Sequence, residues 1–158
     1  MIKKQSIDKL SDTLLCNLEQ TARIARVQAF RFFEETKDIE VSFNEYIIIE
    51  ALFLNPKIHQ RDLAKFLYKG TANLSRDLEK LEAKKIIKRT IDTKDKRIVK
   101  TLELTSKGEK IYSQASEKAL EHINQMECIF NEKEYVEFLG YIKRLRAKLT
   151  ETCEMIFD

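Results

Sequence analysis

Glycine and proline are scarce in this chain, three and one among 158 residues. Both residues punctuate turns and interrupt helices, so their rarity argues against a loop-rich, collagen-like or disordered protein and for long unbroken helices. Tryptophan is absent. The three cysteines, Cys16, Cys128 and Cys153, are odd in number, far apart and without a C-x-x-C pair, so neither a disulfide framework nor a zinc ribbon is expected. His59 and His122 are the only histidines, too few for a dedicated metal site, and no cofactor is expected. No apolar run approaches the roughly 18 residues of a membrane span. The opening MIKKQSIDKLSD lacks the apolar segment of a signal peptide, so the expected location is the cytoplasm, without membrane contact. No Ser/His/Asp, Cys/His or carboxylate pair has supporting context, which makes an enzyme the least expected class.

Charged residues make up 35% of the chain and hydrophobic ones 43%, the balance of a helix-rich soluble protein with one domain. The formal net charge is only +3, but residues 56–110 hold 16 Lys/Arg against 8 Asp/Glu, and the flanks are acidic. A basic middle between acidic ends is the asymmetry of a protein whose central part meets a polyanion.

Hydrophobic spacing supplies the elements. Leu10, Leu14, Leu18, Ala22, Ala25, Ala29 and Phe33 recur every three or four residues, which predicts a long first helix over residues 6–35. Ser42-Phe43-Asn44-Glu45 has the capping-box form and opens a second helix near Phe43 that must stop before Pro56. HQRDLAKFLYKG and TANLSRDLEKLEAKK then read as two short helices, with Gly70 expected to supply the tight turn between them. In the second, Leu74, Leu78 and Leu81 form an apolar stripe opposite Asn73, Arg76, Lys80 and Lys84. At Ile86 the period shifts toward two. IIKRTI and IVKTLEL are β-branched runs around DTKDKR, a hairpin with a polar tip. Thr105, reinforced by Ser106-x-x-Glu109, opens a long helix to about Phe130, and Asn131 with Glu134 starts the last one.

Two short helices and a following hairpin suit DNA. The start of the second helix of a helix-turn-helix enters the major groove, where each base pair shows a distinct donor and acceptor pattern. Thr71, Ala72, Asn73, Ser75 and Arg76 occupy that place, with Asn73 able to pair with adenine and Arg76 with guanine or phosphate. The competing reading is that Thr71 or Asn73 merely caps the helix. At the hairpin tip, Lys94, Lys96 and Arg97 are the groove and phosphate contacts, and Asp95 is expected to brace the Arg through a charge-assisted hydrogen bond. The bland alternative there is a solvated turn. Arg61, Lys69 and Arg89 are the expected phosphate contacts.

The order of parts resembles the MarR family of dimeric winged-helix regulators over nearly the whole chain. The most specific portion is the wing, where the family shows Arg, then D-x-x-D-x-R, then L-T-x-x-G. Here stand Arg89, Asp92-Thr93-Lys94-Asp95-Lys96-Arg97 and Leu104-Thr105-Ser106-Lys107-Gly108. Leu63-Ala64 and Leu78-Glu79-Lys80-Leu81-Glu82 are similar to the family's L-A and L-x-x-L-E. The resemblance implies a mainly α fold with a small β-hairpin wing. In it, residues 39–105 form a winged helix-turn-helix and residues 1–38 and 106–158 form long dimerisation helices. It implies double-stranded palindromic DNA and a second copy of the chain as partners, with affinity modulated by a small-molecule effector or other signal. It also implies that Asp95 and Arg97 act together.

Three positions depart from the family pattern. Lys85 stands where glycine usually separates recognition helix from wing, so the helix either ends without a left-handed residue or strains one. Six residues lie between Arg97 and Leu104, one more than usual, which predicts a bulge or a shifted strand. His59 stands where Ser or Thr often caps the first short helix. One branch of the family senses peroxide through a first-helix cysteine. Cys16 falls about two positions too early for that role. The accompanying tyrosines are Phe30 and Phe43, and its helical neighbours are Asp12, Glu19 and Gln20, none of which stabilises a thiolate. Gly140, inside the last helix, is expected at a packing contact, a close helix crossing. The leading expectation is a repressor acting without catalysis. The competing ones are a winged-helix module that docks protein and a weakly specific nucleoid-type DNA-binding protein.

Overall fold

The computed structural model of the chain describes residues 13–36, 38–94 and 97–152, with residues 91–94, 97–100 and 152 described by backbone alone. The described elements run α1 (Leu14–Glu35), α2 (Phe43–Leu54), β1 (Ile58–His59), α3 (Gln60–Phe66), α4 (Thr71–Ala83), β2 (Ile87–Lys94), β3 (Arg97–Leu104), α5 (Ser106–Glu127) and α6 (Glu132–Thr152). They fall into two compact units, Met1–Phe43 and Asn44–Asp158.

In the first unit, Thr13 caps α1 by accepting the Cys16 N–H on its hydroxyl at 3.2 Å. The helix is thus 22 residues long, about 33 Å, and residues 6–12 of the expected helix lie outside the described residues. At the other end the Thr36 N–H and hydroxyl both donate to the Phe32 carbonyl. Phe30 and Phe33 gather against Phe43 with ring centroids 5.6 and 5.7 Å away. Of the expected stripe, Phe33 is buried, while Leu14, Ala22 and Ala25 are exposed, as are Leu15, Ile24 and Val27.

In the second unit, FNEYIIIEALFL of α2 buries Tyr46, Ile48, Ile49, Ala51 and Leu52, more than one face of the helix. Asn55 closes the helix by donating its carboxamide to the Ala51 carbonyl at 3.0 Å, just before Pro56. The core adds Leu63 of α3, Leu74, Leu78 and Leu81 of α4, Ile86, Ile87 and Leu102, all fully buried. Each such side chain contributes roughly 1.5–3 kcal/mol by leaving water.

The sheet is antiparallel in the order β1-β3-β2. The hairpin register runs without interruption from Ile87↔Leu104 to Lys94↔Arg97. The described ladder therefore contains no bulge; Asp95 and Lys96, between its strands, lie outside the described residues. β1 was not legible in the sequence, since two residues carry no period, and it pairs Ile58 with Leu102 and His59 with Thr101. Thr105, rather than Ser106, caps α5 and accepts the Gly108 N–H at 3.1 Å. Asn131 and Glu134 form a reciprocal capping box at α6, each side chain accepting the other's N–H at 3.0 Å. A Cβ at Gly140 would meet nothing within 4 Å, so among the described residues no close helix crossing occurs there.

Candidate nucleic-acid interface

The helix-turn-helix closes on an unexpected residue. After α3 the Tyr68 N–H donates to Lys65 O at 3.1 Å and the Lys69 N–H to Ala64 O at 3.0 Å, with Tyr68 left-handed at φ 50°. This is a Schellman cap, in which a left-handed residue lets the chain reverse while satisfying the last carbonyls. Gly70, expected to make this turn, has φ −62° and is instead the N-cap of α4. Lacking a side chain, it leaves the first amides of α4 without a side-chain partner. Such amides favour an anion such as phosphate. Because Gly70 is the cap, neither Thr71 nor Asn73 is, and the capping alternative for those residues falls.

Leu74, Leu78 and Leu81 are fully buried on one side of α4, while Thr71, Ala72, Asn73, Arg76 and Lys80 are exposed on the rest. Ser75 is half-buried, and its hydroxyl accepts the Gln60 carboxamide N–H at 3.0 Å, so it ties α4 to α3. Arg61 is exposed on α3.

Several basic residues are held by carboxylates of the chain. Lys69 Nζ lies 3.1 Å from Asp77 Oδ2, Lys84 Nζ 2.6 Å from Glu45 Oε1, and Lys88 Nζ 2.9 Å from Glu103 Oε2. Arg89 Nε approaches Glu82 Oε2 at 3.3 Å without hydrogen-bond geometry, and its Nε and Nη2 are buried with no hydrogen-bond partner. Lys69 and Arg89, expected to meet phosphates, therefore face Asp77 and Glu82. Sequence spacing could not show this, since both partners lie on α4 while Lys69 precedes that helix and Arg89 lies on β2. In the wing, the backbones of Lys94 and Arg97 form the last described pair of the hairpin. Their side chains, all of Asp95 and Lys96, and hence the expected bracing of Arg97 by Asp95, lie outside the described residues.

The far end of α4 carries a second Schellman cap. Lys85 N–H donates to Glu82 O and Ile86 N–H to Leu81 O, both at 2.9 Å, and Lys85 is left-handed at φ 58°. The lysine thus adopts the conformation that glycine favours, at about 1 kcal/mol of strain. The L-T-x-x-G stretch closes onto this cap. The Thr105 hydroxyl is shared between Lys85 O at 2.7 Å and Ile86 O at 3.1 Å, and its N–H donates to Ile86 O at 3.0 Å. At Gly108 a Cβ would overlap the Ile86 carbonyl oxygen. The motif was visible in the sequence; its reason, a helix start pressed against a backbone carbonyl, was not. His59, at the N-cap of α3, makes no side-chain cap bond, and its Nδ1 is buried without a partner.

Two further features border the helix-turn-helix. Tyr46, Tyr112 and Phe53 stack, with Tyr112 centroids 6.3 and 4.1 Å from the other two, and the Tyr46 hydroxyl donates to Glu50 Oε1 at 3.1 Å. Burial and then the Glu50 charge push both tyrosine pKa values up, Tyr46 far above the ordinary range. Tyr68, Lys143, Arg146 and Thr150 line an open groove of about 430 Å³, with Tyr68 Oη 3.4 Å from Thr150 Oγ1. Cys16 is half-buried in the first turn of α1, Cys128 is exposed, and Cys153 lies outside the described residues. Among the described residues no helix is long and apolar enough to cross a membrane.

Known proteins match this arrangement. The MarR family model matches residues 42–99. An uncharacterized HTH-type transcriptional regulator, YybA of Bacillus subtilis (strain 168), is 32% identical over 78 residues, 49% of this chain and 51% of that protein. The match thus spans about half the length of that curated relative. A MarR/EmrR family transcriptional regulator from Acinetobacter sp. ADP1 superimposes with a TM-score of 0.78 at 25% identity, covering 87% of this chain and 94% of its own. The S. aureus MepR–DNA complex superimposes with a TM-score of 0.73 at 20% identity, covering 89% and 99%.

Proposed function

We propose, from the match of residues 42–99 to the MarR family model and from the winged-helix fold, that the chain is a DNA-binding transcriptional regulator of that family. In this reading it represses, without catalysis, by occupying promoter DNA as a homodimer in the cytoplasm. The observation that carries the reading is α4. One side is locked into the core by three fully buried leucines, and the uncapped start of the other presents Thr71, Ala72, Asn73 and Arg76. A rigid helix with polar residues at its exposed start is what the major groove admits and reads. Asn73 pairs with adenine and Arg76 with guanine or phosphate, and the α4 amides take a phosphate. Ser75 acts with Gln60 beneath this surface. Lys94, Lys96 and Arg97 meet the minor groove and backbone from the wing, with Asp95 orienting Arg97. Arg61 adds a phosphate contact, and Lys69 and Arg89 add charge partly offset by Asp77 and Glu82. That the MepR structure of this fold holds DNA supports the reading.

Homodimerisation is supported by apolar side chains exposed on the terminal helices: Ile24 and Val27 of α1, Leu120 and Ile123 of α5, Val136 and Phe138 of α6. A two-fold dimer pairs identical patches and reads a palindrome whose half-sites lie about one DNA turn, roughly 34–36 Å, apart. A small effector lowers DNA affinity to the extent that it favours a dimer with misplaced recognition helices. The test is binding of the purified dimer to its own upstream DNA across a salt series. Arg97→Ala should weaken binding to every duplex, and Asn73→Ala should relax preference at particular bases. A folded dimer with no salt-dependent binding refutes the proposal. A protein-docking module would instead present an apolar face on α4, where polar residues stand.

A further inference from the structure

We infer that Lys84, on the polar stripe with Asn73, Arg76 and Lys80, is a positioning residue that sets the recognition helix through Glu45 of α2. The inference rests on the DNA-binding reading above. Glu45 is only 9% exposed, and a carboxylate that far from water requires compensation by a partner charge or donors. Lys84 Nζ supplies it at 2.6 Å, across 39 positions of sequence. Lys84 is also the C-cap of α4, where a cation complements the helix carbonyls.

The same last turn is gripped from two other sides. Arg89 of β2 faces Glu82, and Thr105 at the start of α5 takes the carbonyls of Lys85 and Ile86. The reading end of the helix, Thr71 to Arg76, lies at the opposite end. Thirteen residues of helix measure about 20 Å, so a tilt of about 5° at the gripped end moves the reading end by nearly 2 Å. Base contacts tolerate roughly 0.5 Å. Loss of the Glu45–Lys84 pair therefore degrades sequence reading while leaving general attraction to phosphate in place.

The experiment compares full-length wild type with Lys84→Met, Glu45→Gln, the double variant and Lys84→Arg, on a fragment of its own upstream DNA and on an unrelated duplex. Each of the first two should lose about tenfold in specific affinity, the double should lose no more than the weaker single, and Lys84→Arg should retain binding. The salt slope and the affinity for unrelated DNA should stay at wild-type values, since no phosphate contact is removed. Without DNA, amide exchange at Lys85 and Ile86 should accelerate in Glu45→Gln. The inference is overturned if Lys84→Met lowers the salt slope by about one and weakens all duplexes alike while Glu45→Gln binds as wild type. Unchanged exchange at those two amides overturns it as well, even where DNA binding itself fails.

Discussion

Replacing Gly108 with alanine tests the junction between recognition helix, wing and α5. The new Cβ would overlap the Ile86 carbonyl oxygen and crowd Ile86 C at 3.2 Å and Cγ2 at 3.3 Å. The obstacle is backbone, so no rotamer change relieves it. Overpacking of this kind costs about 1–3 kcal/mol. Moving the carbonyl also weakens its bonds from the Thr105 N–H and hydroxyl, about 1 kcal/mol each. Against this, alanine gains about 1 kcal/mol over glycine within a helix. The net is a destabilisation of roughly 2–4 kcal/mol, a fall in melting temperature of about 4–16 °C for a chain of this size. Urea unfolding should show a lower midpoint at unchanged slope, because the perturbation is local to the folded state. A variant as stable as wild type, or more stable, would show that the start of α5 does not press on Ile86 and would sink the reasoning.

Gly140→Ala is the matching control: with open space around its Cβ it should gain about 1 kcal/mol, and a loss of stability would instead point to a crossing with a second copy. Lys85→Gly relieves a left-handed residue and should add about 1 kcal/mol in urea unfolding without changing DNA affinity; a loss would mean the lysine side chain matters more than its backbone. Tyr46 has a folded pKa raised above the unfolded value of about 10, so above that pH the unfolded chain releases the proton first. Its contribution to stability is complete below about pH 10 and declines as pH rises from there. Tyr46→Phe should therefore flatten the alkaline decline between about pH 9 and 11.5, and an identical decline in both proteins would count against the buried hydroxyl.

Local features were legible because they are encoded within a few residues. The apolar spacing of Leu74, Leu78 and Leu81 placed α4, Thr105 and the Asn131/Glu134 pair placed the starts of α5 and α6, and β-branched runs placed the hairpin. Turn chemistry was read less well. Glycine was the natural choice for the reversal before α4, yet Tyr68 makes it, because two Schellman hydrogen bonds and the packing of α3 outweigh a modest left-handed strain. The bulge expected from one additional residue is absent from the described ladder, which pairs in register from Ile87↔Leu104 to Lys94↔Arg97.

Composition and periodicity thus settle that the chain is helical, that its middle is basic and that a hairpin follows a polar-faced helix, all of which depend on neighbours within a turn or a strand. The tertiary structure alone decides which of those charges face outward. Lys69, Lys84 and Arg89 look alike in the sequence, but each meets a carboxylate of the chain, Lys84 one that lies 39 positions away on another helix. Charge density is a local sum, whereas charge pairing depends on which distant segments folding brings within a few ångströms.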